Sequence, residues 1–573
     1  MNYKNFNLAI YCPAPTLKNY RNKHNDLEED IDFFQKYLKV NKVYLETHRT
    51  SVDISKSEMN EFIKIFSKKG MKIAGGITPT IGENIKNDQS KRLLNVFCYT
   101  DDKMCEEIKR ISEDTASLFD EFILDDFFFT NCTCPSCIEK KGDLSWKEFR
   151  LDLMKEVSKN LIINPAKKVN PDIKITIKFP NWIESFQETG YNTKDQAELF
   201  DFIYTGTETR DTIFTHQHLP RYASYSLLRW MENIKTASNR GGWFDWIDCI
   251  HNIAYYLEQA YLTAFAKAEE LMLFSFGGLK NSVFVPALGH ELEKLDKILD
   301  KLGEPVGIPV YEPHHADGED HLYDYIGMLG IPLEPYPFFP EDEERILITA
   351  NSSKDNKILE KIKNHLINGG DIIMTSGFVK KMQKKGIEDL SSVSFTERKV
   401  KSGKYAIETC GCAFANYTEQ NQKILFPILN YKNNSSWPII TAMKEENSFP
   451  ILLHDHYGRG NVYTLTIPDN YSDLYNLPIT VLNKIREVFM EKEDIYLEGH
   501  GKIGLFLYDN KSLIIESFLP HRCELKLVIK SNNAKLQSLD TAQEVKALET
   551  NNGYSSFNIK MEAATYRSFR YES

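Results

Sequence analysis

Phe119-Asp-Glu-Phe-Ile-Leu-Asp-Asp-Phe-Phe-Phe-Thr-Asn-Cys-Thr-Cys-Pro-Ser-Cys137 is the stretch on which the reading of this chain turns. From Phe122 to Phe129 it is an aromatic-rich apolar run of strand length, interrupted only by Asp125 and Asp126. A strand apolar on both faces is covered on both sides, as in parallel sheets. Two adjacent carboxylates inside such a strand are costly unless they are paired, hydrogen-bonded or used in chemistry. The strand then runs into Cys132, Cys134 and Cys137, a Cys-x-Cys-x2-Cys cluster. Three thiols this close suggest a metal clip that stiffens the strand exit. Carboxylates at the C-terminal end of a strand, held by a stiffened loop, suit a barrel hydrolase.

Working outward, short apolar strands alternate with longer amphipathic stretches. The expected strands are Leu8–Cys12, Val43–Thr47, Lys72–Ile77, Phe122–Phe128, Ile173–Phe179, Phe202–Thr205, a weak Trp243–Ile247, and Leu271–Phe276. Helical patterns such as Glu106–Leu118, Trp146–Asn160 and Ile253–Glu270 lie between them. Eight such units over roughly 280 residues have the size and rhythm of a (β/α)8 TIM barrel. Function in that fold sits at the C-terminal strand ends. Those ends offer Glu46 and His48, then Asp125 and Asp126, then Lys178 and Trp182. Glu208, Arg210 and Asp211 follow the sixth strand, and Trp243 and Asp245 the seventh. Acidic and aromatic residues dominate, as in a sugar-cleaving site where two carboxylates work and ring faces hold the sugar.

At 573 residues the chain exceeds one core, so two to four domains are expected. A net charge of −11 argues against nucleic acid or an anionic membrane as partner. The first residues, MNYKNFNLAIYCPAP, lack the basic and long apolar regions of a signal peptide, and no segment has 18 uninterrupted apolar residues. The expected location is cytoplasmic. Ten cysteines in a reducing compartment are metal ligands sooner than disulfides.

Cys98, in Val96-Phe-Cys-Tyr-Thr-Asp101, precedes the helix leading to the fourth strand. With Cys132, Cys134 and Cys137 it would complete a closed, structural Zn2+ site of four thiolates; Cys105 is a rival fourth ligand. Here the chain resembles glycoside hydrolase family 42, β-galactosidases with a zinc clip beside the fourth barrel strand. The resemblance runs through Cys98, then Asp125-Asp126 where the family has Asn-Glu, then the Cys-x-Cys-x2-Cys cluster, then Phe149-Arg150. It implies that Asp126 stands in for the family's general acid/base and Asp125 for its Asn. The family's seventh-strand nucleophilic Glu has no match in Gly241-Gly-Trp-Phe-Asp-Trp246.

For the second carboxylate there are two contenders. Asp245 lies among aromatic residues beside two glycines and is slightly preferred; Glu208 lies beside Arg210, a ready charge partner. If the strand stays regular, Asp125 and Asp126 face opposite sides and only one enters the mouth. A neighbouring like charge raises one pKa, which suits a general acid. An alternative is a substrate-assisted β-N-acetylhexosaminidase in which Asp125 and Asp126 both serve, through a bulge or strand end; another is a non-catalytic carbohydrate-binding barrel. Glu46, Lys178, Trp182, Arg210 and Trp243 are the expected substrate-binding residues. His216 and His218 could form a second metal pair, although a polar loop is the simpler account.

Beyond the barrel, Gly307–Tyr311, Arg345–Ala350 and Asp371–Met374 read as strands of a small open α/β sheet, with a helix over Asp355–Ile367 stopped by Gly369-Gly370. From Gly504 onward the alternation suggests a β-sandwich. The expected domains are a catalytic barrel over 1–302, an α/β domain over 303–494 and a β-sandwich over 495–573. The second is glutamine-amidotransferase-like, and in the resembling family it mediates trimer contacts. The overall expectation is a glycosidase acting on a small soluble glycoside or oligosaccharide, β-galactosidase-like, as a homo-oligomer (trimer or dimer).

Overall fold

The computed structural model describes residues 2–82, 93–408, 416–551 and 553–573. The chain divides into two compact units, Met1–Asp300 and Lys301–Ser573.

The first unit is a closed barrel of eight parallel strands: β1 (Asn7–Cys12), β2 (Lys42–Thr50), β3 (Lys72–Ile81), β4 (Glu121–Leu124), β5 (Lys174–Phe179), β6 (Phe202–Gly206), β7 (Asn239–Asp245) and β8 (Glu270–Phe274). Each pairs with its sequence neighbours, and β8 returns to β1 with Ile10 opposite Leu273. The inward residues Ala9, Tyr11, Tyr44, Ala74, Ile123, Tyr204, Trp243 and Met272 form one buried cluster. Small residues from some strands make room for rings from others, so the interior is a packed core rather than a pore. The helix Lys56–Lys68 starts at a capping box, with Ser55 and Glu58 satisfying each other's backbone amides. Trp146–Val157 does the same with Ser145 and Glu148.

Two elements depart from the sequence reading. β4 ends at Leu124, so Asp125 and Asp126 lie beyond the strand rather than inside it. The Asp126 amide donates to the Asp125 carboxylate (2.7 Å), and Phe128 N–H returns to the Asp125 carbonyl (3.1 Å). A turn held this way ends the ladder despite the aromatic run that follows. β7 runs over Asn239–Asp245, several residues earlier than expected. Its glycines hide it from a propensity reading, yet they are needed there: a Cβ on Gly241 would lie 1.8 Å from the Glu270 carbonyl oxygen of β8.

In the second unit a nine-stranded sheet begins with five parallel strands, among them Ile308–Tyr311, Arg345–Ile348 and Asp371–Thr375. The helix Ile358–Asn368 ends at Gly369, whose φ of 99° is the left-handed cap the glycine pair implied. Four long antiparallel strands, Ser394–Ile407, Asn416–Asn430, Trp437–Lys444 and Asn447–Tyr457, extend this sheet, so the expected small open sheet is a larger mixed one. The first two run through stretches rich in Lys, Glu, Gln and Asn, and the last two bury continuous runs, Ile439–Ala442 and Pro450–Leu453, so none shows a clear period of two. The C-terminal region forms two further sheets, of six and four strands; Pro305–Val306 joins the six-stranded one by pairing with Leu507 and Tyr508. No helix of the described residues is long and apolar enough to cross a membrane.

Candidate active site

Lys178 lies at the middle of the barrel mouth. It is the penultimate residue of β5 and 1% exposed. Its ammonium donates to Asp126 Oδ2 at 2.8 Å and to Glu208 Oε1 at 3.2 Å, and stands 3.8 Å from Asp125 Oδ1. Below it, the Trp243 ring centroid is 4.3 Å away, close enough for a cation–π contact. Trp243 itself is buried against Tyr11 and Phe274 and forms the floor of the site. Burial works against the Lys178 charge, but Asp126, Glu208 and Asp125 outweigh it and raise the lysine pKa.

The turn after Leu124 separates the two aspartates. Asp125 accepts from Arg49 (2.8 Å), from Thr78 Oγ1 (3.0 Å) and from the Asp126 amide. Burial opposes its ionisation, yet Lys178 and Arg49 hold its pKa below the usual value. Asp126 is the more open of the pair, its side chain 13% exposed against 3%. Burial pushes its carboxyl up to about 7; Lys178 pulls it down, while Asp125 and Glu208 push it up. Its carbonyl accepts from the Tyr191 hydroxyl at 2.6 Å, which fixes the turn. Two ionised aspartates and Glu208 around one ammonium would be a net negative cluster, so the proton retained by Asp126 relieves it.

Glu46 forms the next layer. Its carboxylate accepts from Tyr11 (2.8 Å), Ala14 N–H (2.6 Å) and Thr78, and both of its oxygens accept from Arg49 Nε (3.0 Å each). It is fully buried and orients Arg49 toward Asp125. Neither Arg49 nor Thr78 stood out in the sequence, although Arg49 is three residues from Glu46 on the same strand. His48 faces elsewhere, bonded to Asp53 (2.6 Å) and the Thr80 carbonyl (2.8 Å).

After β6, Gly206 leads to Glu208, and a Cβ on Gly206 would come within 2.8 Å of Glu208 Oε2. That oxygen is buried and has no hydrogen-bond partner among the described residues. An unbonded buried polar atom costs about 1–3 kcal/mol and calls for an explanation. The Glu208 carbonyl accepts from Asn181 (2.7 Å), which also pairs with Gln217 (3.0 Å); these two polar residues were not picked out from the sequence. Arg210 grips Asp245 at both carboxylate oxygens (3.0 and 2.7 Å) and adopts a left-handed backbone, φ 58°. Non-glycine residues seldom do so without support; here the Arg210 amide donates to Gln259 (3.3 Å), which also donates to the Asp245 carbonyl (3.0 Å). Asp211 is buried and caps its own loop through Ile213 N–H (3.0 Å). Trp182 is partly exposed, edge-on to Phe129. His216 is exposed, and His218 Nδ1 lies 3.3 Å from the Thr212 carbonyl.

Just past Asp126, the Cys98, Cys132, Cys134 and Cys137 sulfurs all lie within 4.8 Å of one another. Among the described residues this is the one cluster of three or more His, Cys, Asp or Glu side chains that could hold a metal. Cys98 stands 3.7 Å from Cys137 and 3.8 Å from Cys134. A tetrahedral zinc with bonds of about 2.3 Å has sulfur–sulfur edges of about 3.8 Å, so the donor set fits that ion. Cys105 lies on the helix Asp102–Ala116, outside the cluster.

A family model described as "Probable glycosyl hydrolase, catalytic domain" matches residues 1–290. "Uncharacterized protein SSO3021, second domain" matches 303–470, and "Probable glycosyl hydrolase, C-terminal domain" matches 494–571. The chain is 27% identical over 508 residues to "Uncharacterized protein SSO3021" of Saccharolobus solfataricus, covering 81% of this chain and 82% of that one. Among solved structures it is similar to a β-galactosidase from Bacillus circulans sp. alkalophilus, with a TM-score of 0.64, 11% identity, and 100% and 99% of the two chains covered. It is also similar to α-L-fucosidase isoenzyme 2 from Paenibacillus thiaminolyticus, with a TM-score of 0.68, 10% identity and 100% of both chains covered. At such identities the likeness is one of fold.

Proposed function

Because the chain belongs to the probable glycosyl hydrolase family and is a glycosidase, we propose that it hydrolyses a small glycoside with Asp126 as general acid/base and Glu208 as nucleophile. The observation that carries this reading is the shared ammonium: one nitrogen contacts both carboxylates, at 2.8 and 3.2 Å. The two oxygens are therefore no more than about 6 Å apart, close to the roughly 5–5.5 Å of a retaining pair and short of most inverting ones. Asp245 has both oxygens taken by Arg210, whereas Glu208 leaves Oε2 unbonded. Asp125, committed to Arg49 and Thr78, orients the turn.

In the first step Glu208 bonds to the anomeric carbon as the glycosidic bond breaks, and Asp126 delivers its proton to the departing oxygen. In the second, water gives its proton to Asp126, its oxygen bonds to the anomeric carbon, and Glu208 is released. Cys98, Cys132, Cys134 and Cys137 would hold a structural zinc, whose contribution is to rigidify the β4 exit. Those cysteines and the likeness to a β-galactosidase support a galactosidase-like substrate in the manner of family 42. The fucosidase likeness makes α-L-fucosides the next to try. The proposed enzyme is a cytoplasmic homo-oligomer.

The test is turnover of nitrophenyl β-D-galactoside, α-L-fucoside and N-acetyl-β-D-hexosaminide by wild type, with azide rescue of Glu208→Gly and Asp245→Gly. Rescue of the Glu208 variant alone supports the assignment. Rescue of the Asp245 variant alone moves the nucleophile there, and cleavage of the hexosaminide alone would point to the acetamido group as nucleophile.

A further inference from the structure

The sequence reading placed Lys178 among the substrate-binding residues, but its nitrogen is spent on protein carboxylates. We infer that Lys178 is a positioning residue: a fixed ammonium around which negative charge passes from Glu208 to Asp126 and back during the two steps. This inference rests on the assignment of Asp126 and Glu208 proposed above.

The geometry carries it. The ammonium is bonded to one carboxylate on each side, from the exits of β4 and β6, and is walled below by the Trp243 ring. At 1% exposure it has little contact with water. Among the described residues, the next charged groups outward are themselves paired. Asp125 stands at 3.8 Å and is balanced by Arg49, which also holds Glu46. Beyond Glu208, Asp245 is balanced by Arg210. The Tyr191 hydroxyl bonds the Asp126 carbonyl and leaves its carboxylate to Lys178.

Before reaction the charge is on Glu208 and the proton on Asp126. When Glu208 bonds to the anomeric carbon it loses its charge; the glycosidic electron pair goes to the leaving oxygen, which takes the Asp126 proton and leaves that carboxylate charged. Hydrolysis reverses both changes, with water supplying the proton and the new bond. In each state one of the two carboxylates bonded to Lys178 is ionised, so the ammonium has an ionic partner throughout and needs no reorganisation.

The experiment compares wild type, Lys178→Met and Lys178→Arg on one nitrophenyl glycoside, following kcat and KM across pH with circular dichroism as a fold control. With the charge removed, Lys178→Met should lose about 100-fold or more in kcat at little change in KM. The alkaline limb of its pH profile should move up by about one pH unit or more, since Asp126 loses its cation. Lys178→Arg keeps the charge, so that limb should stay in place even where the rate falls. If Lys178→Met does not fold, the arginine variant decides alone: an unmoved limb supports the inference, and a limb displaced by a unit overturns it. A raised KM with kcat retained would overturn it in favour of a substrate contact, as would a slower Met variant with an unshifted profile. Failure of the underlying assignment looks different: wild type inert on every glycoside, or azide rescue confined to Asp245→Gly.

Discussion

Asp126 and Asp125 show how far a single position can differ from its neighbour. They are adjacent and both largely buried, yet Arg49 and Lys178 hold one ionised while burial and like charge leave the other protonated up to about pH 7. An acid must hold its proton to give it away, so activity should fall as pH rises through about 7, and a pH–rate profile will check this. Asp126→Asn should lose about 10²–10⁴-fold in kcat/KM on glycosides with poor leaving groups and much less on dinitrophenyl ones, which need no proton. Gly206→Ala should fold but lower kcat, because the added Cβ would meet Glu208 Oε2 at 2.8 Å and the Asn181 backbone nitrogen at 3.0 Å. Much of this neighbourhood could be read from residue types: Glu46, Lys178, Glu208, Arg210 and Asp245 all face it. Thr78, Asn181 and Arg49 could not, because a threonine, an asparagine or an arginine becomes informative only once its partner is known.

At the level of elements, the exit of β4 is where local and distant forces meet. The aromatic run predicted a strand through Phe128, but an aspartate that bonds its own following amide ends it at Leu124. The cysteine cluster then draws the segment after β3 and the loop after β4 together. Metal analysis of the purified protein should find about one zinc per chain, and Cys132→Ser should lose it and lower the melting temperature; metal-free wild type would remove zinc from this account. β7 makes the converse point. Its Asn-Arg-Gly-Gly start looks unlike a strand, yet Gly241 sits where β8 leaves no room for a side chain. Gly241→Ala should therefore lower thermal stability by well over the ~1 kcal/mol of a propensity change, measurable by denaturant unfolding.

On the scale of the whole molecule, two compact units each carry their own core. Unfolding should not be two-state: calorimetry is expected to resolve more than one transition, and a chelator should shift only the one belonging to the unit that holds the cysteines. The barrel was legible because eight strand–helix units repeat a strong period. The four antiparallel strands were not, since polar stretches in the first two and continuous buried runs in the last two leave no clear period of two.

By itself the sequence determined the barrel, the order of its strands, the cysteine cluster and the acidic composition of the mouth, because hydrophobic period and close spacing are local properties. The tertiary structure decided which carboxylates meet. Lys178 comes from β5, Asp126 from the exit of β4, Glu208 from beyond β6 and Trp243 from β7, and only closure of the barrel brings them to one point. Pairing energies and proton affinities depend on those distances, and a linear chain does not contain them.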